Sequence, residues 1–315
     1  MKTKLLIVIY IFMYSLLSPT FHADQTASVP FQNSLPFQIP EDQIRPLLNM
    51  TSLALQEHLV SKLVQNVTWE SLIRRKKMAV GVVDLRDLND IKYASVNGNK
   101  MMYAASLPKL AILLGAAQAL ENGSLQETEQ VLHDMRIMIS KSDNEAATRM
   151  IDRIGFDQIE QTLCDPRYEL YDIKRGGGLW VGKRYAKTGK RHGDPMYNIS
   201  HGATVTQVCR FYYLLAMGKL VSWDRSKQML DIMVAPEIHH KFVNSFDRLA
   251  PEATVYRKSG TWKNYHADSA LIWGPVWRRY IVVGLVEDSR GEEILRELIP
   301  TIEQVLLENS GETKL

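Results

Sequence analysis

The placement of strand-like segments constrains this chain most. Two of them, "MAVGVVDLRD" (78–87) and "DIKYASVNGN" (90–99), lie early and are joined by a short polar turn. Three more, "EATVYRKSGTW" (252–262), "HADSALIWG" (266–274) and "RRYIVVGLVED" (278–288), lie late, and the helical pattern "EEILRELIPTIEQVLL" (292–307) closes the chain. Between the two groups, Ala105 to about Val234 is helix-rich: "LPKLAILLGAAQALENG" ends at Gly123, "NEAATRMIDRIG" at Gly155, and "TVTQVCRFYYLLAMGK" and "SWDRSKQMLDIMV" follow. Strands that must share one sheet but are split by a helical insert predict a discontinuous α/β lobe (41–103 and 236–309) beside an inserted helical lobe (104–235). A cleft between two such lobes is where chemistry is expected.

The rest of the chain sets limits. It has 315 residues, 45% hydrophobic and 23% charged, enough for one large core. A net charge of +3 offers no whole-chain argument for nucleic acid. There is no repeat, zinc-type spacing, P-loop or dinucleotide fingerprint. At the start, "MKTK" followed by the apolar run Leu5–Leu17 and a small polar stretch with Ala23 or Ala27 predicts a secretory signal over 1–23 or 1–27, hence a secreted, periplasmic or extracellular protein; the competing reading is an uncleaved anchor. Residues 24–40, rich in proline, read as a flexible, exposed lead-in. Segment 41–77 carries helical apolar spacing over several turns. Cys164 and Cys209 allow either a disulfide or two buried thiols.

One short stretch, "AASLPKLAILLG" (104–115), puts a hydroxyl and an amine three residues apart at the mouth of an apolar run. Pro108 suits a first helical turn, so Ser106 is expected at a helix start. There, free N–H groups and the helix dipole stabilise a developing oxyanion. Lys109, set among Leu107, Leu110 and Ile112, would be desolvated enough to serve as a base. Chance alone supplies about one S-x-x-K in a chain of this length. Two further patterns give it meaning. Ser142-Asp143-Asn144 occurs once, between helical segments, where a hydroxyl can relay a proton and an amide can hold a carbonyl, or where Asp143 or Asn144 simply caps a helix. The form K-[ST]-G occurs twice, at Lys187-Thr188-Gly189 and at Lys258-Ser259-Gly260. The first sits in a basic, glycine-rich stretch without strand alternation. The second ends a β-rich run, and a cleft-lining edge strand needs that context to pair with an extended amide.

S-x-x-K, S-D-N and K-[ST]-G in this order resemble the penicillin-recognising serine hydrolases, with class A β-lactamases and D,D-peptidase-like enzymes nearest. The resemblance covers about residues 55–308. It implies an α+β fold, a five-stranded antiparallel sheet flanked by N- and C-terminal helices beside an all-helical lobe. Position by position, it makes Ser106 the nucleophile and Lys109 its base. Ser142 becomes the proton shuttle, Asn144 the holder of the substrate amide, and Lys258 the source of local field. Ser259, Gly260 and Thr261 become the substrate-binding strand, with the N–H groups of Ser106 and Thr261 as oxyanion hole. The implied substrates are β-lactams or D-Ala-D-Ala peptides, with a non-turnover sensor as a third reading; no metal or cofactor is implied.

The sequence departs from that pattern in two places. The E-x-x-L-N signature of class A deacylation is absent, and Glu169 is the only glutamate of the corresponding segment, which makes it the candidate deacylation base, against the competing reading of a solvated loop carboxylate. The spacing from Ser106 to Ser142 is 36 residues, shorter than class A enzymes allow, whereas that from Ser142 to Lys258 is 116, somewhat longer. The surplus lies around the seven cations between Lys174 and Arg191, which would contact anionic wall polymer or lipid, or form a solvated loop. Trp262 and His266 are further candidates for flanking a substrate.

Overall fold

The computed structural model describes residues 34–309, so the signal segment lies outside the described residues. The sequence segment 41–77 is not one helix. Two 3₁₀ turns, at Glu41–Gln43 and Leu47–Met50, precede helices α1 (Leu53–Val64) and α2 (Val67–Arg74). Pro46 and the capping side chains explain the breaks. Ser52 accepts from the Leu55 N–H, and Asn66 accepts from Thr68 and Trp69, so each helix starts where a side chain satisfies its free amides.

Strands β1 (Met78–Asp84), β2 (Lys92–Val96) and the short β3 (Met102–Tyr103) come next. The helical lobe contains α3 (Lys109–Glu121), α4 (Glu129–Ser140), α5 (Asn144–Ile154) and α6 (Phe156–Leu163). Four short strands, β4 (Tyr171–Asp172), β5 (Gly177–Gly178), β6 (Trp180–Val181) and β7 (His201–Ala203), then lead to α7 (Val205–Ala216), α8 (Trp223–Met233) and α9 (Phe242–Leu249). The chain returns through β8 (Thr254–Trp262), β9 (Tyr265–Trp273) and β10 (Arg279–Glu287) and finishes with α10 (Gly291–Asn309). The main sheet has the order β2-β1-β10-β9-β8 and every pairing is antiparallel, as the family resemblance implies.

Both faces of this sheet are covered, which is why its strands read as nearly unbroken apolar runs. On β10, Tyr280, Val282 and Val286 join a core with α1 and α10, while Ile281, Val283 and Leu285 face the core shared with the helical lobe. The twofold alternation of side chains along a strand produces the division. No helix among the described residues is long and apolar enough to cross a membrane.

Two expectations change. The part of the lead-in that the structure describes is docked, not exposed: Phe37 is buried, its N–H bonds to the Ala216 carbonyl at 2.8 Å, and its ring meets Trp273 edge-on. Burial of a single large ring outweighs the proline-rich character of the segment. Cys164 and Cys209 are free thiols, the first exposed and the second buried.

Candidate active site

The cleft begins at the end of β3. Ala105 is held in the left-handed region (φ 51°), which turns the chain sharply into α3. The residues between form a tight turn with i to i+3 bonds, Leu107 N–H to Ala104 O and Lys109 N–H to Ser106 O. The regular helix starts at Lys109, so Ser106 stands one turn before it and not on its first residue. Lys109 is fully buried on a helix that is apolar almost all round. Burial lowers its pKa from 10.5 to about 7, with the Asp143 carboxylate opposing the shift.

Ser142 also sits in the left-handed region (φ 57°), between α4 and α5. Asp143 caps α5 through the Ala146 N–H at 2.7 Å, and Asn144 is the first helical residue. That cap pins the turn, so Ser142 and Asn144 both meet the lysine: Lys109 Nζ donates to Ser142 O at 2.6 Å and to Asn144 Oδ1 at 2.8 Å.

The third cluster arrives on the edge strand. Lys258 is buried on β8, and its Nζ lies 2.9 Å from Ser142 Oγ. Ser142 Oγ is also 3.4 Å from Lys109 Nζ, so one hydroxyl is shared by two amines. Burial, then the charge of Lys109, drives the Lys258 pKa well below the usual lysine value. Two adjacent buried ammonium groups repel, so the arrangement favours a single proton shared through Ser142.

Gly260 brings strand and turn together. A Cβ there would lie 2.2 Å from Ala104 O and 2.7 Å from Ser106 N, so only glycine lets β8 approach this closely. The approach sets the backbone of Ser106 beside that of Thr261. Ser259 Oγ meets His240 Nε2 at 3.3 Å.

Ser106, Asn144 and Thr261 line one cleft of about 740 Å³. Lys109, Ser142 and Lys258 join it through their hydrogen bonds and Gly260 through its approach to Ser106, whereas Ser259 is buried with its hydroxyl on His240. Among the described residues the hydrogen bonds of Lys109 run to Ser142 and Asn144, and none goes to the Ser106 hydroxyl. Glu169 is not brought in. Its carboxylate pairs with Arg210 at 3.1 Å, and it does not line the cleft. The largely buried Arg210 guanidinium holds this acid outside the cleft. Trp262 lines the cleft, whereas His266 is buried with its ring beside Gly291.

Two cleft residues, Tyr185 and His201, and Lys241 beneath β8 carry no motif and escaped the sequence reading. Tyr185 donates to Ala105 O at 3.1 Å, and Lys109 Nζ lies 4.5 Å from the centre of its ring. Buried His201 donates from Nε2 to Lys183 O, its Nδ1 accepts from Ser200 Oγ, and burial lowers its pKa to about 4, so it is neutral at physiological pH. Lys241 is fully buried under the strand and donates to Gly260 O and Thr261 Oγ1, each at 2.7 Å. Their only sequence signal is local context, an aromatic in a basic loop or a lysine following two histidines. Among the described residues no cluster of His, Cys, Asp and Glu is placed to hold a metal.

The chain matches the model of the beta-lactamase enzyme family over residues 62–137 and 131–309. No curated protein matches it in sequence. In structure it is similar to a beta-lactamase from Sphaerobacter thermophilus (TM-score 0.59, 14% identity, 81% of this chain and 97% of that one). It is also similar to PBP-A (TM-score 0.60, 18% identity, 82% and 97%). A PBP-A mutant in an acyl-enzyme complex with penicillin G gives a TM-score of 0.60 at 19% identity, covering 84% and 100%. At such identities the structural likeness establishes the fold. The sequence match spans both lobes and therefore every segment that meets at the cleft, and on that match the chain belongs to the beta-lactamase enzyme family.

Proposed function

We propose that this chain is an exported serine hydrolase that is acylated at Ser106 by β-lactams and hydrolyses their amide bond. The observation that carries the proposal is the Ser142 hydroxyl, 2.9 Å from Lys258 Nζ and 3.4 Å from Lys109 Nζ. A hydroxyl between two amines of depressed pKa is a route for moving a proton within a closed site. Neutral Lys109 would take the Ser106 proton as the hydroxyl attacks the carbonyl carbon. The N–H groups of Ser106 and Thr261 would hold the oxyanion. Ser142 would protonate the departing nitrogen and be reprotonated from Lys258. Asn144 would hold the acyl amide, and Ser259 and Thr261 the substrate carboxylate. Catalytic hydrogen bonds often close only when substrate is bound, which accounts for a Lys109 that rests on Asn144 in the free enzyme. The N-terminal segment supports export.

A second reading draws on the cleft wall, which among the described residues contains no aspartate or glutamate. Without a carboxylate to activate water, release of a β-lactam acyl group would be slow, as suits a D,D-peptidase-like enzyme whose natural donors are peptidoglycan stem peptides. One experiment separates the two. The protein is incubated with a chromogenic cephalosporin and a fluorescent penicillin, following colour and covalent label together. Rapid colour change supports β-lactam hydrolysis. A stable label on Ser106 with little turnover supports the peptidase reading, which D-Ala-D-Ala cleavage then establishes; without that cleavage the protein is an acylated sensor. No label on Ser106 refutes the proposal.

A further inference from the structure

The basic, glycine-rich segment is a built wall of the cleft. It is pinned at both ends and in the middle: Gly182 N–H donates to Ser200 O at 2.7 Å, Trp180 Nε1 to His192 O at 2.9 Å, and the Tyr185 hydroxyl to Ala105 O at 3.1 Å. Between these points Lys183, Arg184, Lys187 and Arg191 line the same cleft as Ser106.

Their charges are not equally compensated. Arg184 pairs with Asp152 at 2.6 Å. Among the described residues Lys183, Lys187 and Arg191 have no carboxylate partner, and the Arg191 guanidinium donates only to the Asn198 carbonyl. Nor does any acid of the cleft wall offset them. The charges are felt inside: Lys183 and Arg191 both help burial to hold the His201 imidazole neutral, and Arg191 opposes the rise of the Tyr103 phenol. Cations of one sign around a partly enclosed cleft concentrate the field there and attract anions.

Substrate geometry divides the cleft. Thr261 on β8 lines the cleft and is the residue assigned to the ring carboxylate. The wall at 183–191 shares the cleft with Asn144, the group assigned to the acyl amide. We infer that the cleft selects acyl donors whose side chain bears a second carboxylate, held by Lys183, Lys187 and Arg191; this rests on Ser106 being the acylated nucleophile. The chemistry is that of an exposed ion pair in a cleft, a preference in rate rather than an absolute requirement.

The test uses carbenicillin and benzylpenicillin, which share the penam ring and differ by one carboxylate on the acyl side chain. The rate constant for labelling Ser106 of the full chain is measured for each. The expected ratio favours the dicarboxylate by about fivefold at low ionic strength. It should shrink toward one in about 0.5 M salt, where the screening length is only a few ångströms. The same ratio, measured within the Lys187→Gln/Arg191→Gln variant so that altered folding cancels, should also fall toward one. A ratio of one or below in the unmodified protein overturns the inference and leaves the Ser106 reading intact. A preference untouched by the double substitution overturns the assignment to these side chains. Equal labelling that poly(glycerol phosphate) suppresses for both penicillins assigns the cations to an anionic polymer and overturns it as well. Absence of any Ser106 label fails the underlying reading, and the inference with it.

Discussion

The chain writes the pattern K-[ST]-G twice, and the two copies meet the same cleft from opposite conditions. Lys258-Ser259-Gly260 runs in register along β9, with Lys258 opposite Ser269 and Gly260 opposite Ala267, and its lysine is buried against Ser142. Lys187-Thr188-Gly189 lies in an exposed loop without regular secondary structure, and Gly189 has φ 124°. The same three residue types therefore give a desolvated amine with a depressed pKa in one place and a hydrated cation in the other. Strand pairing fixes the first copy to within a hydrogen bond. The second has only its loop anchors, so its charge meets a partner in solvent, where an ion pair is weak.

The largest effect that would sharpen this contrast is on chemistry. Lys258→Met should slow covalent penicillin labelling by about 10²- to 10⁴-fold, whereas Lys187→Met should change it by about fivefold or less. Equal losses, measured by rapid-quench mass spectrometry, would erase the distinction. Next comes pH. Because Lys109 titrates near 7 in the fold instead of 10.5, acylation should fall as pH drops below about 7 and the amine gains a proton. Stability carries the linked signature: between about 7 and 10.5 the unfolded chain binds the extra proton, so urea midpoints should rise with pH, and Lys109→Met should flatten that slope.

Glycine substitutions break the comparison through packing. Gly260→Ala drives a methyl into the Ala104 carbonyl and should destabilise by about 1–3 kcal/mol. Gly189→Ala would meet only the Arg184 side chain at an ordinary 3.8 Å and has its positive φ to resist, so a loss of about 1 kcal/mol is expected in thermal unfolding. The smallest effect belongs to Glu169→Gln. Its partner is Arg210, so turnover should change by less than about twofold and stability by about 1 kcal/mol at most.

Much of the fold was legible because both faces of the sheet are buried: "VGVV" and "YIVVGLV" must be strands with cover on each side, and only an interrupted sheet reconciles their separation in the chain. The three polar clusters were legible because each has a local signature, a proline at the turn before α3, a capping aspartate, and a glycine ending an apolar run. Glu169 stood out as the only glutamate of its segment, and that says nothing about where its carboxylate goes. Tyr185, His201 and Lys241 were silent because each works through one long-range contact that leaves no pattern along the chain.

Periodicity by itself determined the strand segments of the sheet and the helix-rich stretch between them, since these follow from local preference and from which faces must be dry. The residues of the site came from three short motifs and the family they resemble. Tertiary structure alone decided that Ser142 stands between two lysines 33 and 116 residues away, and that the basic loop folds back as the cleft wall. The reason is physical: desolvation and charge coupling depend on distance in space, and the chain reports distance only along itself.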